Sequence, residues 1–175
     1  MGNGIFINYT NFYLHPSALD LVDVSGPDEL ATFLHAPPPD GRFVESFATT
    51  GSFGDLDFWF SPWPGPVPRD VNRPATALLL SAANFRAKTV PLLRGRVIVM
   101  THDADGALAG LTDEQIRAIA LHANRWRGPT RLDWRCAADD RAQRRRRKAQ
   151  RTGAEREPWE KFTTGCRQHR TEGNK

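Results

Sequence analysis

Cysteine is scarce in this sequence: Cys136 and Cys166 are the only two in 175 residues. Two thiols cannot staple a chain of this length, which predicts a reducing, cytoplasmic setting and a fold held by its apolar core. Long apolar runs are missing as well. The best candidate, Ala75 to Phe85, is broken by Thr76, Ser81 and Asn84, against the roughly 20 apolar residues that a membrane span takes. No basic stretch precedes an apolar one at the start, so no secretory signal is expected. Met1-Gly2 opens as a myristoylation signal does, but Phe6 stands where that signal takes Ser or Thr. Gly and Pro together make about 15% of the chain, too little for a low-complexity polymer. Lysine is nearly absent, four residues against twenty arginines. A GC-rich genome produces that bias. It has a physical consequence all the same, because the guanidinium fork grips phosphate in a bidentate way that an ammonium does not.

Several catalytic signatures are also missing. There is no phosphate-binding glycine loop, no G-x-S-x-G elbow and no dinucleotide fingerprint. Thr101 to Thr112 is close to a calcium loop, with Asp103, Asp105 and Gly106 in place. Thr101 and Thr112, however, stand where the first Asp and the bidentate Glu belong, so a polar turn between strand and helix is expected. Cys166-Arg167-Gln168-His169 has the spacing of half a zinc site. Completing four ligands takes distant residues such as His102 and His122, and no metal is expected. His102-Asp103 has the order of a base and its orienting carboxylate, without a Ser or Cys nucleophile beside it. Glu45, Asp55 and Asp57 can approach one another on a hairpin as acid–base carboxylates, or stand as solvated hairpin charges. The expectation is a non-catalytic protein without a cofactor.

What the sequence does hold is a mixed α+β pattern. Ile5 to Leu14 and Leu19 to Val24 read as extended. Pro27 to His35 reads as a short helix capped by Ser25, with Leu30, Phe33 and Leu34 on one face. Arg42 to Thr49 and Leu56 to Phe60 read as a hairpin. Four prolines exclude regular structure between Ser61 and Arg69. A helix over Pro74 to Phe85 follows, with Asn72 as its cap. Arg94 to Thr101 carries four consecutive apolar residues and predicts a central strand covered on both faces. Thr112-Asp113-Glu114-Gln115 is a capping box, with Leu111 and Ile116 in the staple positions. Its helix runs to about Arg125 and ends at Gly128-Pro129. The fold class is therefore α+β, a small mixed or antiparallel sheet with about three helices, plus a basic C-terminal helix or tail. The boundaries are a globular domain over 1–134 and a basic, partly helical or disordered arm over 135–175.

Charge is divided between the halves. Residues 1–85 hold three Arg and nine acids, whereas residues 86–175 hold 21 bases and 11 acids. Arg125, Trp126, Arg127, Arg131, Trp134 and Arg135 interleave aromatic and basic side chains. Arg141, Arg144, Arg145, Arg146, Arg147, Lys148 and Arg151 follow without an acid among them. Guanidinium groups bind phosphate with release of counterions, and Trp faces stack on unpaired bases. That set is the candidate nucleic-acid surface. A solvated basic tail and an arm that binds an acidic protein are the other readings. A second candidate surface is the aromatic, Pro-rich loop. There Trp59, Phe60 and Trp63 suit a protein anchor, and a host enzyme is the kind of partner expected.

Three segments carry a family resemblance. They are Asp40-Gly41-Arg42-Phe43-Val44-Glu45, Val71-Asn72-Arg73-Pro74-Ala75-Thr76-Ala77-Leu78-Leu79 and Leu93-Arg94-Gly95-Arg96-Val97-Ile98-Val99. Together they resemble a small domain family of unknown function, common in actinobacteria and their phages, over about residues 25–120. The aromatic insert and the Arg-rich tail lie outside its pattern. The resemblance implies a phage-type accessory protein in a bacterial cytoplasm, with Glu45 and Asn72 as its most motif-like polar positions.

Overall fold

A computed structural model describes residues 2–7, 15–34, 44–62, 70–83, 85–126, 128 and 130–168, with side chains placed through 149. The chain divides into two compact units, Met1–Ala138 and Asp139–Lys175.

The first unit is an α+β domain. Its strands are β1 (Gly2–Ile7), β2 (Leu19–Val24), β3 (Glu45–Gly51), β4 (Gly54–Phe60), β5 (Val97–His102) and the short β6 (Leu108–Ala109). They form one sheet in the order β2-β1-β5-β4-β3, with β6 on the end of β5, and every pairing is antiparallel. Two hairpins, β1–β2 and β3–β4, are thus joined by β5 between them. The run Val97-Ile98-Val99-Met100 serves this position because side chains alternate across the sheet. Val97 and Val99 enter one core with Ile5, Ile7, Leu56 and Phe58. Ile98 and Met100 enter a second core on the opposite face with Val24, Leu30 and Leu34.

Helices cover both faces. Helix α1 (Pro27–Phe33) supplies Leu30 to the second core. Its cap departs from expectation. Gly26 is the N-cap residue and makes no side-chain cap bond, while the Ser25 amide donates to Glu29 Oε2 at 2.7 Å. The helix thus starts one residue later than expected, at a glycine without a capping side chain, and Glu29 reaches back to the amide that precedes it. Helix α2 (Arg73–Ala82) is buried nearly all round, as its Ala/Leu content demands. It ends before Phe85, whose ring instead meets Phe47 at 5.5 Å. The last residue of β3, Gly51, has no Cβ because the Ala82 carbonyl at the end of α2 occupies that space. The β3–β4 loop closes with Gly54 at φ +77°, a conformation that favours glycine.

Helix α3 (Asp113–Arg125) begins with both halves of the Thr112/Gln115 capping box formed. Gln115 Nε2 also donates to the Phe53 and Asp55 carbonyls at 3.2 Å, tying the helix start to the β3–β4 turn. Helix α4 (Thr130–Gln168) starts in this unit. Leu132 and Cys136, one turn apart, are buried in the first core with Ile119 and Ala123 of α3. The second unit continues as helix from Asp139 to Gln168. Among the described residues no helix is long and apolar enough to cross a membrane.

Candidate functional site

The basic residues fall into two separate groups. Within the second unit, Arg141, Arg144, Arg145, Arg146 and Lys148 are exposed and Arg147 is half-buried. A helix turns about 100° per residue, so 141, 144, 145 and 148 share one side while 146 lies on another. The side chain of Arg151 lies outside the described residues.

The other group surrounds an open cleft in the first unit, lined by Lys88, Thr130, Arg131, Trp134 and Arg135. Lys88 sits on a tight turn, where Val90 N donates to Arg86 O at 3.0 Å and Thr89 Oγ1 bonds Arg86 O at 3.2 Å. Arg135 locks α4 onto that turn. Its Nη1 donates to the Ala87 and Val90 carbonyls at 2.8 and 3.0 Å, so one face of this guanidinium is committed to the fold. Trp134 is 74% exposed. Trp126 is not presented in the same way: it packs half-buried on the first core, with its ring 5.2 Å from His122. Arg125 is exposed at the end of α3, and Arg127 lies outside the described residues. Of the protein-anchor candidates, Trp59 packs half-buried against the second core and Phe60 against the first. Trp63 lies outside the described residues. The Trp59 indole N–H is buried with no hydrogen-bond partner.

The histidines resolve differently from their sequence neighbours. His102 Nδ1 meets Asp57 Oδ2 of the adjacent strand at 3.0 Å, and not Asp103. Asp103 Oδ1 instead accepts from the Asp105 and Ala107 amides at 3.0 and 2.8 Å and holds the turn after β5. Asp57 is only 6% exposed. Its hydrogen bond and then its charge raise the His102 pKa above 6.5, more than desolvation lowers it. Because the folded pKa is raised, the stabilisation is complete below the unfolded value of 6.5 and fades as pH rises through the folded one. In an NMR titration, His102 should hold its proton above the ordinary range. Asp57→Asn should return it toward 6.5 and remove that pH-dependent stability; an unchanged titration would refute the pairing.

His122 Nε2 and Ser81 Oγ are 2.8 Å apart, which on distance alone suggests a nucleophile and its base. The Ser81 hydroxyl, however, donates to Ala77 O at 2.9 Å. It therefore accepts from a protonated Nε2 and is not deprotonated by it. Burial lowers the His122 pKa, which keeps the ring neutral between Phe53 and Trp126. This is a packing site.

The proposed carboxylate cluster is not formed as a unit. Glu45 pairs in register with Phe60 at one end of the hairpin, while Asp55 pairs with Thr50 near the other and accepts its hydroxyl at 2.7 Å. In the calcium-like stretch, Thr101 donates to Asp55 O and Thr112 caps α3. Among the described residues, no group of three or more His, Cys, Asp or Glu is placed to hold a metal ion. Asn72 is buried within the fold, capping α2 through Ala75 N at 3.0 Å.

No family model matches this chain, and neither a curated protein nor a solved structure matches it.

Proposed function

We propose that the protein is a non-catalytic accessory protein that associates with nucleic acid, with little sequence preference, through the Arg-rich stretch of α4. The observation that carries this reading is the exposure of Arg141, Arg144, Arg145, Arg146 and Lys148 along a helical segment without an acid between them. Bases distributed around more than one side of a helix suit contact with a phosphate backbone from several directions. They do not suit one face reading base edges in a groove. The phage-type, cytoplasmic setting implied by the family resemblance belongs to the same proposal. A host-protein anchor at Trp59, Phe60 and Trp63 has less support, because Trp59 and Phe60 are packed against the cores.

Salt dependence tests the reading. Each phosphate contact adds roughly 0.7 to 0.9 to the slope of log affinity against log salt. Five contacts predict a loss of roughly 100-fold or more between about 50 and 200 mM salt, measured by anisotropy of a labelled mixed-sequence oligonucleotide. Affinity unchanged across that range rejects it.

A further inference from the structure

We propose that the cleft at Trp134 is a seat for one unpaired nucleobase and its adjoining phosphate, so that the protein prefers single strands to duplex. This rests on the nucleic-acid reading above and adds a site and a substrate class to it.

Three large apolar side chains are strongly exposed among the described residues, Leu21, Leu121 and Trp134, and at 74% Trp134 is the most exposed. An indole left in water on a folded surface forgoes the burial that its size offers. Its stretch of α4 is anchored on both sides. Leu132 and Cys136, two residues to either side on α4, are buried in the core. Arg135, the next residue, is bonded to two carbonyls of the Lys88 turn. The supporting helix thereby fixes where the indole emerges, at the wall of the cleft.

The walls select the charge of the occupant. Lys88, Arg131 and Arg135 line the cleft with Thr130 and Trp134, and no acid is among them. Arg131 is exposed, whereas Arg135 has already committed donors to the fold. Lys88 and Arg131 are therefore the cations available to a phosphate. The cleft has a volume of about 430 Å³, inside the roughly 300–1,000 Å³ of small-ligand sites. A flat aromatic face beside two cations matches an unstacked base with its phosphate, and base–aromatic stacking is indifferent to base identity. In duplex the base faces are covered by their neighbours, so the indole has nothing to stack on. An acidic peptide satisfies the cations but not the exposed ring.

Three probes of equal charge per phosphate separate these contributions on the full-length protein: oligo-dT, an abasic strand of the same length, and a mixed-sequence duplex. Trp134→Ala should weaken oligo-dT binding about tenfold to a hundredfold while changing abasic-strand and duplex affinity less than about twofold. Trp134→Phe, which keeps a stacking face, should recover most of the loss. Equal loss on oligo-dT and the abasic strand, or no loss on either, overturns the base seat. Capture of an acidic peptide by the cleft with no response to oligo-dT overturns it in favour of a protein ligand. Failure of the broader reading is distinct: the wild-type protein then binds none of the three probes, or binds the abasic strand without any salt dependence.

Discussion

Asn72→Ala is expected to destabilise the folded protein by about 3–7 kcal/mol. The side chain is completely buried and uses both ends of its amide. Oδ1 accepts from Ala75 N at 3.0 Å and caps α2. Nδ2 donates to Ile7 O at 3.0 Å and to Gly95 O at 2.8 Å, joining the end of β1 to the loop entering β5. Removing the cap costs roughly 1 kcal/mol. Removing the amide N–H groups withdraws one hydrogen bond from each of two carbonyls inside the fold, at roughly 1–3 kcal/mol each. Against a typical total of about 5–15 kcal/mol, that leaves little margin. The helix start is braced further by Thr76, whose hydroxyl donates to Asn72 O at 2.8 Å and accepts from Leu93 N at 3.1 Å. Asn72→Ser separates the contributions, since a hydroxyl restores the cap but does not reach both carbonyls. It should recover about 1 kcal/mol of the loss. Urea unfolding measures both, and a loss below about 1 kcal/mol for Asn72→Ala would show that the carbonyls find other partners.

The same residue marks the limit of what the sequence discloses. Asn72 is legible as a cap because the signal is local: a polar residue, then Pro, then an Ala/Leu run. The two carbonyls it ties down belong to the end of β1 and the loop entering β5, and leave no trace near it. The capping box at Thr112 and Gln115 is readable for the same reason, and the further bonds from Gln115 to the β3–β4 turn are not. At Ser25 the local signal misleads, because the N-cap position falls one residue later, on Gly26. His102 is the clearest case. Its sequence neighbour Asp103 is drawn into the turn after β5, and the partner Asp57 arrives through strand pairing, which periodicity alone does not specify.

The two tryptophans of the basic stretch show what register adds. Composition places Trp126 and Trp134 in one interleaved motif. In the fold, Trp126 follows the last residue of α3 and turns back onto the core. Trp134 lies about 200° around α4 from the buried Leu132, so it points away from the core. Nothing in the motif distinguishes them; the helix start at Thr130 does. The same register separates Arg135, bonded to carbonyls, from Arg131, which is exposed. Counting arginines therefore overstates the surface available to phosphate, and the decisive experiment belongs on residues whose guanidinium groups face solvent.

Replacing Arg144, Arg145 and Arg146 together by Gln is expected to lower nucleic-acid affinity about 1,000-fold at about 50 mM salt. Each lost phosphate contact forfeits its counterion-release contribution, roughly tenfold at that salt concentration, and flattens the salt slope by about 0.7 to 0.9. Replacement by Glu goes further, since three attractions become three repulsions, and binding should fall below detection. Neither set disturbs helix formation, because Gln and Glu have nearly the helix propensity of Arg and all three positions are exposed. Circular dichroism and the urea midpoint should therefore match the parent protein. The slope is more informative than the affinity. A non-specific loss of folded protein lowers apparent affinity but leaves the slope of the surviving molecules intact, whereas removal of real phosphate contacts reduces it by about 2 to 3 for the triple Gln variant. A Gln variant that binds with the parental slope would place the phosphate contacts elsewhere and reject the α4 assignment, even if its affinity had changed.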